Sequence, residues 1–312
     1  MTEWVQDWVG MIEASLGPQV DWKQVVLIGM TPVFVLAFAL EWQVMRRRGQ
    51  RTQFHWKEIA ANLSLGASYQ VFEVIAHGLF VATAAAWFYR HRLFDLPVNG
   101  WTILPIFVVV EFCYYWFHRT SHRVRWFWSA HVVHHSGEHM NFTMAMRQSL
   151  LYPLTGWWLF FMPLVLLGLP PGVVFFLYAV DLSYQYFVHT DAVGRLPSWI
   201  EYVFDTPANH RVHHGRNPQY IDKNYGGVLI VFDRWFGTWE PELEPEVYGI
   251  PRQVHSYNPL TLNFHEFIDM WKDVLRPGPL ALRLKHLWAP PEWVRPAPRP
   301  RGLRSAPTPA ER

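Results

Sequence analysis

A single cysteine, Cys113, stands in 312 residues. That excludes an internal disulfide and any cysteine-built zinc site. Cys113 lies in an apolar run, where a thiol is buried and inert. Charge is also scarce: Asp, Glu, Lys and Arg make up 17% of the chain, with a net charge of +2. No long basic run occurs outside short membrane flanks, so no nucleic-acid partner is expected. Several catalytic signatures are missing. There is no His-Glu-x-x-His of a zinc hydrolase, no Glu-x-x-His pair of a soluble di-iron bundle and no Gly-x-Ser-x-Gly elbow of a serine hydrolase. The first twenty residues are acidic and lack a basic stretch before an apolar core, so no signal peptide is expected.

What the chain has in quantity is apolar and aromatic surface. It is 51% hydrophobic and 17% aromatic, with 18 tryptophans, a load that fits a membrane protein with interfacial belts. Trp4, Val5, Trp8, Val9 and Ile12 recur at helical spacing, as in an interfacial amphipathic helix or a loosely packed terminal one. Five spanning candidates follow, over 25–44, 63–89, 101–117, 150–169 and 173–188. The last two are joined by Leu169-Pro170-Pro171-Gly172, a tight turn that also suits a re-entrant hairpin. Arg46, Arg47, Arg48 and Arg51 follow the first span, and Arg119, Arg123 and Arg125 the end of the third. The positive-inside rule makes both ends cytoplasmic and the N-terminus external. From about Gly194 the chain turns polar. Residues 228–232 read as a short strand or buried turn, and the Pro- and Arg-rich tail after Pro290 reads as disordered. Asn141-Phe142-Thr143 matches a glycosylation acceptor, but on this topology it faces the cytoplasm and is a chance match. The expected fold is all-α: a multi-pass transmembrane bundle under a cytoplasmic, histidine-rich helical cap. Residues 1–100 would hold the amphipathic segment and two spans, 101–275 the catalytic domain, and 276–312 a largely disordered end.

Histidines cluster at the expected cytoplasmic face. His118 and His122 are four apart. His131, His134 and His135 form one His-x-x-His-His box, and His210, His213 and His214 form another. Spacings of three and four place imidazoles on one helix face, while adjacent histidines point roughly 100° apart. His134 and His135 are therefore suited to two different ions. Eight ligands exceed the need of one ion, which takes about four to six, so two metals side by side are expected. All-imidazole ligation suits Fe, Zn, Cu or Ni. Paired iron next to buried hydrocarbon points to oxygen activation against a C–H bond. Polar stripes run along the spans: Glu111, Tyr114 or Tyr115, His118 and His122; Asp181, Gln185 and His189; Glu73 and His77. They read as partners for the far nitrogens of ligating imidazoles, or as a polar pocket that only holds helices together.

Over roughly Glu111 to Glu240 the chain resembles the fatty acid hydroxylase/sterol desaturase superfamily of integral-membrane, histidine-box di-iron oxygenases. The likeness extends beyond the histidines, through YYWFHRTSH, HVVHHSGEHMNFTMAMRQS and HRVHHGRNPQYIDKNYGGVLIVFDRWFGTWEPE. It implies that His118, His122, His131, His134, His135, His210, His213 and His214 are metal ligands, with His189 as a ninth. It implies two iron ions, O2 as co-substrate and a membrane lipid (fatty acyl, sterol or ether lipid) as substrate. Hydroxylation is the leading reaction and desaturation the second; a non-catalytic metal-binding membrane protein is the reading from another class. Electrons would come from a separate partner, ferredoxin- or cytochrome b5-like with its reductase, because no haem segment, nucleotide fingerprint or cysteine cluster occurs here. A bacterial inner membrane is the expected location. Glu111, Asn141, Asp181, Gln185 and Asn224 are candidates to support the ligands, and Glu138, Asn141, Arg147, Asp222, Asn224 and Tyr225 to orient ligands or a head group. The chain departs from the family pattern in three places: Gln185 stands where some hydroxylases carry a further histidine, Glu111 where Asp is common, and Asp205 where Asn is common. His139 is a spare neighbour of the second box. His55, His91, His255, His265 and His286 read as ordinary.

Overall fold

The computed structural model describes residues 20–50 and 54–296, and over these the chain is helical. The amphipathic segment expected around Trp4–Ile12 lies outside the described residues. The first helix, α1 (Trp22–Arg47), starts where the Asp21 carboxylate accepts the Gln24 N–H at 3.2 Å, as an N-cap does. It ends on Arg46 and Arg47, cations that suit the C-terminal dipole. Pro32 sits inside it, and Thr31 donates its hydroxyl to the Leu27 carbonyl at 3.2 Å. Next come α2 (Trp56–Ala76), a π turn (His77–Val81) and α3 (Ala82–Arg90), which together form one 35-residue apolar helix.

Among the described residues two helices, α1 and this composite, are long and apolar enough to cross a membrane. The other three expected spans do not meet both conditions. The third is the 21-residue α4 (Ile103–Arg123), whose last turns carry His118, Arg119, His122 and Arg123. The fourth breaks into α6 (Tyr152–Thr155), a 3-10 turn (Trp157–Phe161) and α7 (Met162–Leu167). Pro153 and Pro163 remove helical N–H donors there, and Gly156 sits at φ +94°. The fifth is α8 (Pro171–Val188), interrupted in polarity by Asp181 and Gln185. The all-α expectation holds, with two helices long and apolar enough to span packed on a compact helical core, and the fourth expected span is not one continuous helix. α1 runs along α8. The main apolar core lies among α2, α3, α4 and the 152–178 segment, around Val110, Tyr114, Phe161, Val165 and Tyr178.

The remaining helices form the cap: α5 (Arg125–His135), α9 (Ser198–Val203), α10 (Pro207–His214), α11 (Val231–Phe236), α12 (Pro259–Leu275) and α13 (Leu280–Lys285). α10 begins with Pro207 after Thr206, whose side chain accepts the Asn209 N–H. α12 begins the same way, with Pro259 after Asn258. Residues 228–232 form a buried turn: Leu229 makes an isolated antiparallel bridge to Phe204, and α11 follows. Within the end segment 276–312, residues 276–296 are folded. His286 and Ala289 are buried, and the Ala289 carbonyl accepts the Arg125 N–H at 3.1 Å. Residues 297–312 lie outside the described residues.

Candidate metal centre

The nine sequence-nominated histidines come from four places. The last turns of α4 present His118 and His122. An extended break at Val124 turns the chain into α5, which presents His131, His134 and His135. α10 contributes His210, His213 and His214, and His189 caps α8. All nine are buried, none more than 7% exposed.

They divide into two groups. His118, His122, His131, His135 and His213 form one; His134, His189, His210 and His214 form the other; within each, the candidate ligand atoms lie within 4.8 Å of one another. Both adjacent pairs are split between the groups, as the angular spacing of neighbours on a helix demands. In the first group the Nε2 atoms of His118 and His135 lie 3.0 Å from that of His131. In the second, the Nε2 atoms of His134, His210 and His214 lie 3.1, 2.9 and 3.3 Å from that of His189. A metal–nitrogen bond of about 2.1 Å places neighbouring ligand atoms about 3 Å apart.

The outward nitrogens show whether these rings fit a cation. Carbonyls accept the Nδ1 protons of His118 (Tyr225, 2.8 Å), His189 (Gln185, 2.6 Å) and His213 (Lys223, 2.9 Å). A carbonyl only accepts, so each ring carries its proton on Nδ1 and presents a lone pair at Nε2. His210 Nδ1 meets Asp205 at 2.9 Å, His122 Nδ1 meets Asp222 at 3.5 Å, and His131 Nδ1 pairs with the Tyr152 hydroxyl. The inward Nε2 atoms of His122 and His213 are buried without a hydrogen-bond partner. So are the outward Nδ1 atoms of His134 and His214. Buried lone pairs converging on one point without protons between them are costly unless a cation sits among them. The donor set fits two metal ions.

Charge points the same way. Burial holds His131, His134, His135, His210, His213 and His214 well below the usual histidine range, and repulsion from neighbouring imidazoles adds to it. The rings are therefore neutral, the form that ligates. Burial and the nearby Asp233 and Glu201 push Asp205 up, while Asp222, facing His122 and Arg123, is held below the usual carboxylate range against its own burial.

The supporting candidates fall out unevenly. Gln185 reaches a nominated ring, through its backbone carbonyl on His189. Its side-chain oxygen accepts the Tyr114 hydroxyl at 2.8 Å, and its amide donates to Asp181 at 2.8 Å. Glu111 accepts the N–H groups of Val228 and Leu229 at 2.7 and 3.1 Å. Asn141 accepts the Thr143 N–H at 3.1 Å, at the start of the 3-10 turn over Phe142–Met146. Asn224 bonds Asn209 and Glu240. These hydrogen bonds of Glu111, Asn141, Asp181 and Asn224 run to the scaffold around the rings. The third polar stripe lies elsewhere: Glu73 pairs with Lys23, and His77 Nδ1 with Asp21 at 3.4 Å. His139 pairs with Glu58 and joins neither group. The partners that sequence reasoning missed are Tyr152 and the carbonyls of Tyr225 and Lys223. A carbonyl has no side-chain signature, so only its position in the fold reveals it.

A cavity of about 510 Å³ abuts the histidines. His131, His134, His189 and Gln185 form one end, and Tyr69, Trp157 and Tyr178 stand among its other walls. Leu27, Thr31, Phe34 and Phe38 of α1 line one side, and Leu63, Gly66 and Gln70 of α2 another. Of the six residues expected to orient ligands or a head group, none lines it. The α1 end nearest the histidines is its basic one: Arg48 donates to the Ala192 carbonyl at 2.6 Å, and Glu41 accepts the Thr190 hydroxyl.

Comparison with known proteins agrees with this architecture. A sequence model of the family described as "Fatty acid hydroxylase" matches residues 103–238, which hold all nine histidines. An alkylglycerol monooxygenase of Homo sapiens is 43% identical over 183 residues, covering 58% of this chain and 40% of the relative. That of Xenopus tropicalis is 35% identical over 233 residues, covering 74% and 52%. The ornithine lipid hydroxylase OlsE of Rhizobium tropici is 28% identical over 165 residues, covering 53% and 50%. The chain thus spans about half the length of the curated relatives it matches. No solved structure matches.

Proposed function

The chain belongs to the fatty acid hydroxylase/sterol desaturase superfamily, and from that premise we propose that it is an O2-dependent di-iron hydroxylase of membrane lipids. The observation that carries the reading is the abutment of two four- and five-imidazole groups on an apolar cavity. His118, His122, His131, His135 and His213 would hold one iron, and His134, His189, His210 and His214 the other. When bound, such a pair supplies the activation of O2 that inserts one oxygen atom into a C–H bond and releases the other as water, using two electrons and two protons from outside the chain. A separate ferredoxin- or cytochrome b5-like partner with its reductase would deliver those electrons.

The protein's own part is placement. The backbone carbonyls on His118, His189 and His213 fix which nitrogen faces the metal. The aromatic and aliphatic walls hold an alkyl chain against the His131, His134 and His189 end and keep bulk water away. The alkylglycerols and ornithine lipids named in the relatives are the first substrates to test. α1, the α2–α3 helix and the returning α4 would cross the membrane, with the broken 152–167 segment and α8 as a hairpin whose turn reaches the level of Trp22, and the centre on the cytoplasmic side. That orientation follows from Arg46–Arg48 and from the proximity of this end of α1 to the histidines.

A lipid desaturase is the second reading, favoured by the same centre and cavity, because the two reactions differ only in the fate of the substrate radical. Purified protein loaded with Fe(II) under nitrogen, then given O2, a reductant and an alkylglycerol, tests all three readings. A hydroxylated product supports the proposal, and an unsaturated one the desaturase. Iron retention with no lipid product supports a metal-binding protein.

A further inference from the structure

We propose that the cavity is filled sideways from the bilayer, through a portal between α1 and α2 that admits one alkyl chain of a lipid whose remainder stays in the membrane. The inference rests on the lipid-oxidising reading of the centre and names how its substrate must be delivered.

α1 and α2 are joined by a short connection, yet α1 packs along α8. The two helices meet at their ends. Near the start of α1, buried Lys23 pairs with Glu73 and donates to the Tyr69 hydroxyl at 3.3 Å, and Asp21 faces His77. Near its end, Met45 packs with Phe54 and Ile59. Between these contacts Ile28, Thr31 and Val35 of α1 and Leu63, Ala67 and Gln70 of α2 all line the cavity. Five of the six are also exposed at the surface, with Ile28 and Val35 each 63% exposed and Leu63 45%. A residue that lines a cavity and is exposed marks its mouth.

Depth decides what can occupy that mouth. At 1.5 Å rise per residue, Ile28 and Val35 lie within about 10 Å of the midpoint of α1. A hydrocarbon core is about 15 Å thick on each side of its centre. If α1 spans the membrane, the mouth therefore opens into hydrocarbon, where the adjacent phase is acyl chain. A water-soluble substrate would have to cross lipid to reach it. The rim can also move. Pro32 removes one backbone hydrogen bond from α1 at this level, and the π turn at His77–Val81 loosens the ladder one turn beyond the Glu73 contact.

The test places the full chain in nanodiscs of a phosphatidylcholine bearing a mid-chain diazirine. After irradiation, adducts are mapped by mass spectrometry, with and without iron. Wild-type protein is expected to carry adducts on interior walls such as Met146 and Tyr178. Blocking either rim, by Ala67→Trp or Thr31→Trp, should lower interior adducts about tenfold, a plausible steric penalty for overfilling a passage. Adducts on the outer face of α1 should persist, which shows that the variant is folded and inserted. Leu36→Trp, which places the same indole away from the mouth, should leave the pattern unchanged. Interior adducts at wild-type level in both rim variants, or none in the wild type, would overturn the portal. Lipid oxidation by the same wild-type preparation is scored separately. Oxidation with portal-independent labelling sinks the portal alone, and portal-dependent labelling without oxidation sinks the catalytic reading alone.

Discussion

At the scale of single residues, metal binding turns on which nitrogen of each ring faces inward. Tyr152 pairs with His131 Nδ1. Tyr152→Phe is expected to weaken iron binding about 10- to 100-fold, the usual cost of losing a ligand's outer partner, as read by competition with a chelator. His134→Ala and His213→Ala should each deplete a different iron, so the two variants should differ in spectroscopic signature while both retain part of the metal. If both keep full iron content, the ligand assignment is wrong. Acidification has a defined sign. The folded protein holds the α5 and α10 imidazoles far below the unfolded value of about 6.5. Below that pH the unfolded chain takes up protons that the fold excludes, so stability is complete above it and falls as pH drops through it. Protons also compete with the metal for the same nitrogens. Thermal unfolding of the metal-free protein should therefore show a lower Tm at pH 5.5 than at pH 7.5. A Tm that rises on acidification would contradict neutral, buried rings.

At the scale of elements, α12 is held to the histidine-bearing α5 by charge. Arg125, at the start of α5, meets Glu266 and Asp273 of α12, both at 2.7 Å. Arg125→Ala leaves two carboxylates facing a partly buried gap. The expected cost is about 2 kcal/mol, less than the 3–5 of a fully buried pair because Asp273 is over a third exposed; chemical denaturation measures it. Gly66 sets another contact: a Cβ there would stand 2.8 Å from the Met146 carbonyl oxygen. Gly66→Ala should push the Met146 segment and narrow the cavity, lowering turnover of long-chain lipids more than iron content. The histidine pattern was legible in the sequence because side-chain spacing on a helix is a local property. The division of adjacent histidines between two groups followed from the same geometry. The spans were less legible. Pro153, Gly156 and Pro163 break an apolar run whose composition alone resembles a continuous helix. The Glu73–His77 stripe misled because its partners, Lys23 and Asp21, lie some fifty residues away in sequence, and periodicity carries no record of such pairings.

At the scale of the whole molecule, two apolar helices stand beside a helical core whose histidines gather at one end. The basic end of α1 and the histidine groups lie together, so the membrane orientation and the position of the centre are one statement. The claim that links them is O2-dependent oxidation of a lipid at the imidazole groups. Cells making the wild-type chain, and cells making a His134→Ala, His213→Ala double variant, can be grown under 18O2 and their lipids compared by mass spectrometry. A lipid carrying one 18O atom in its hydrocarbon chain is expected in wild-type cells and not in the variant. Lipids that are identical in the two strains would contradict it.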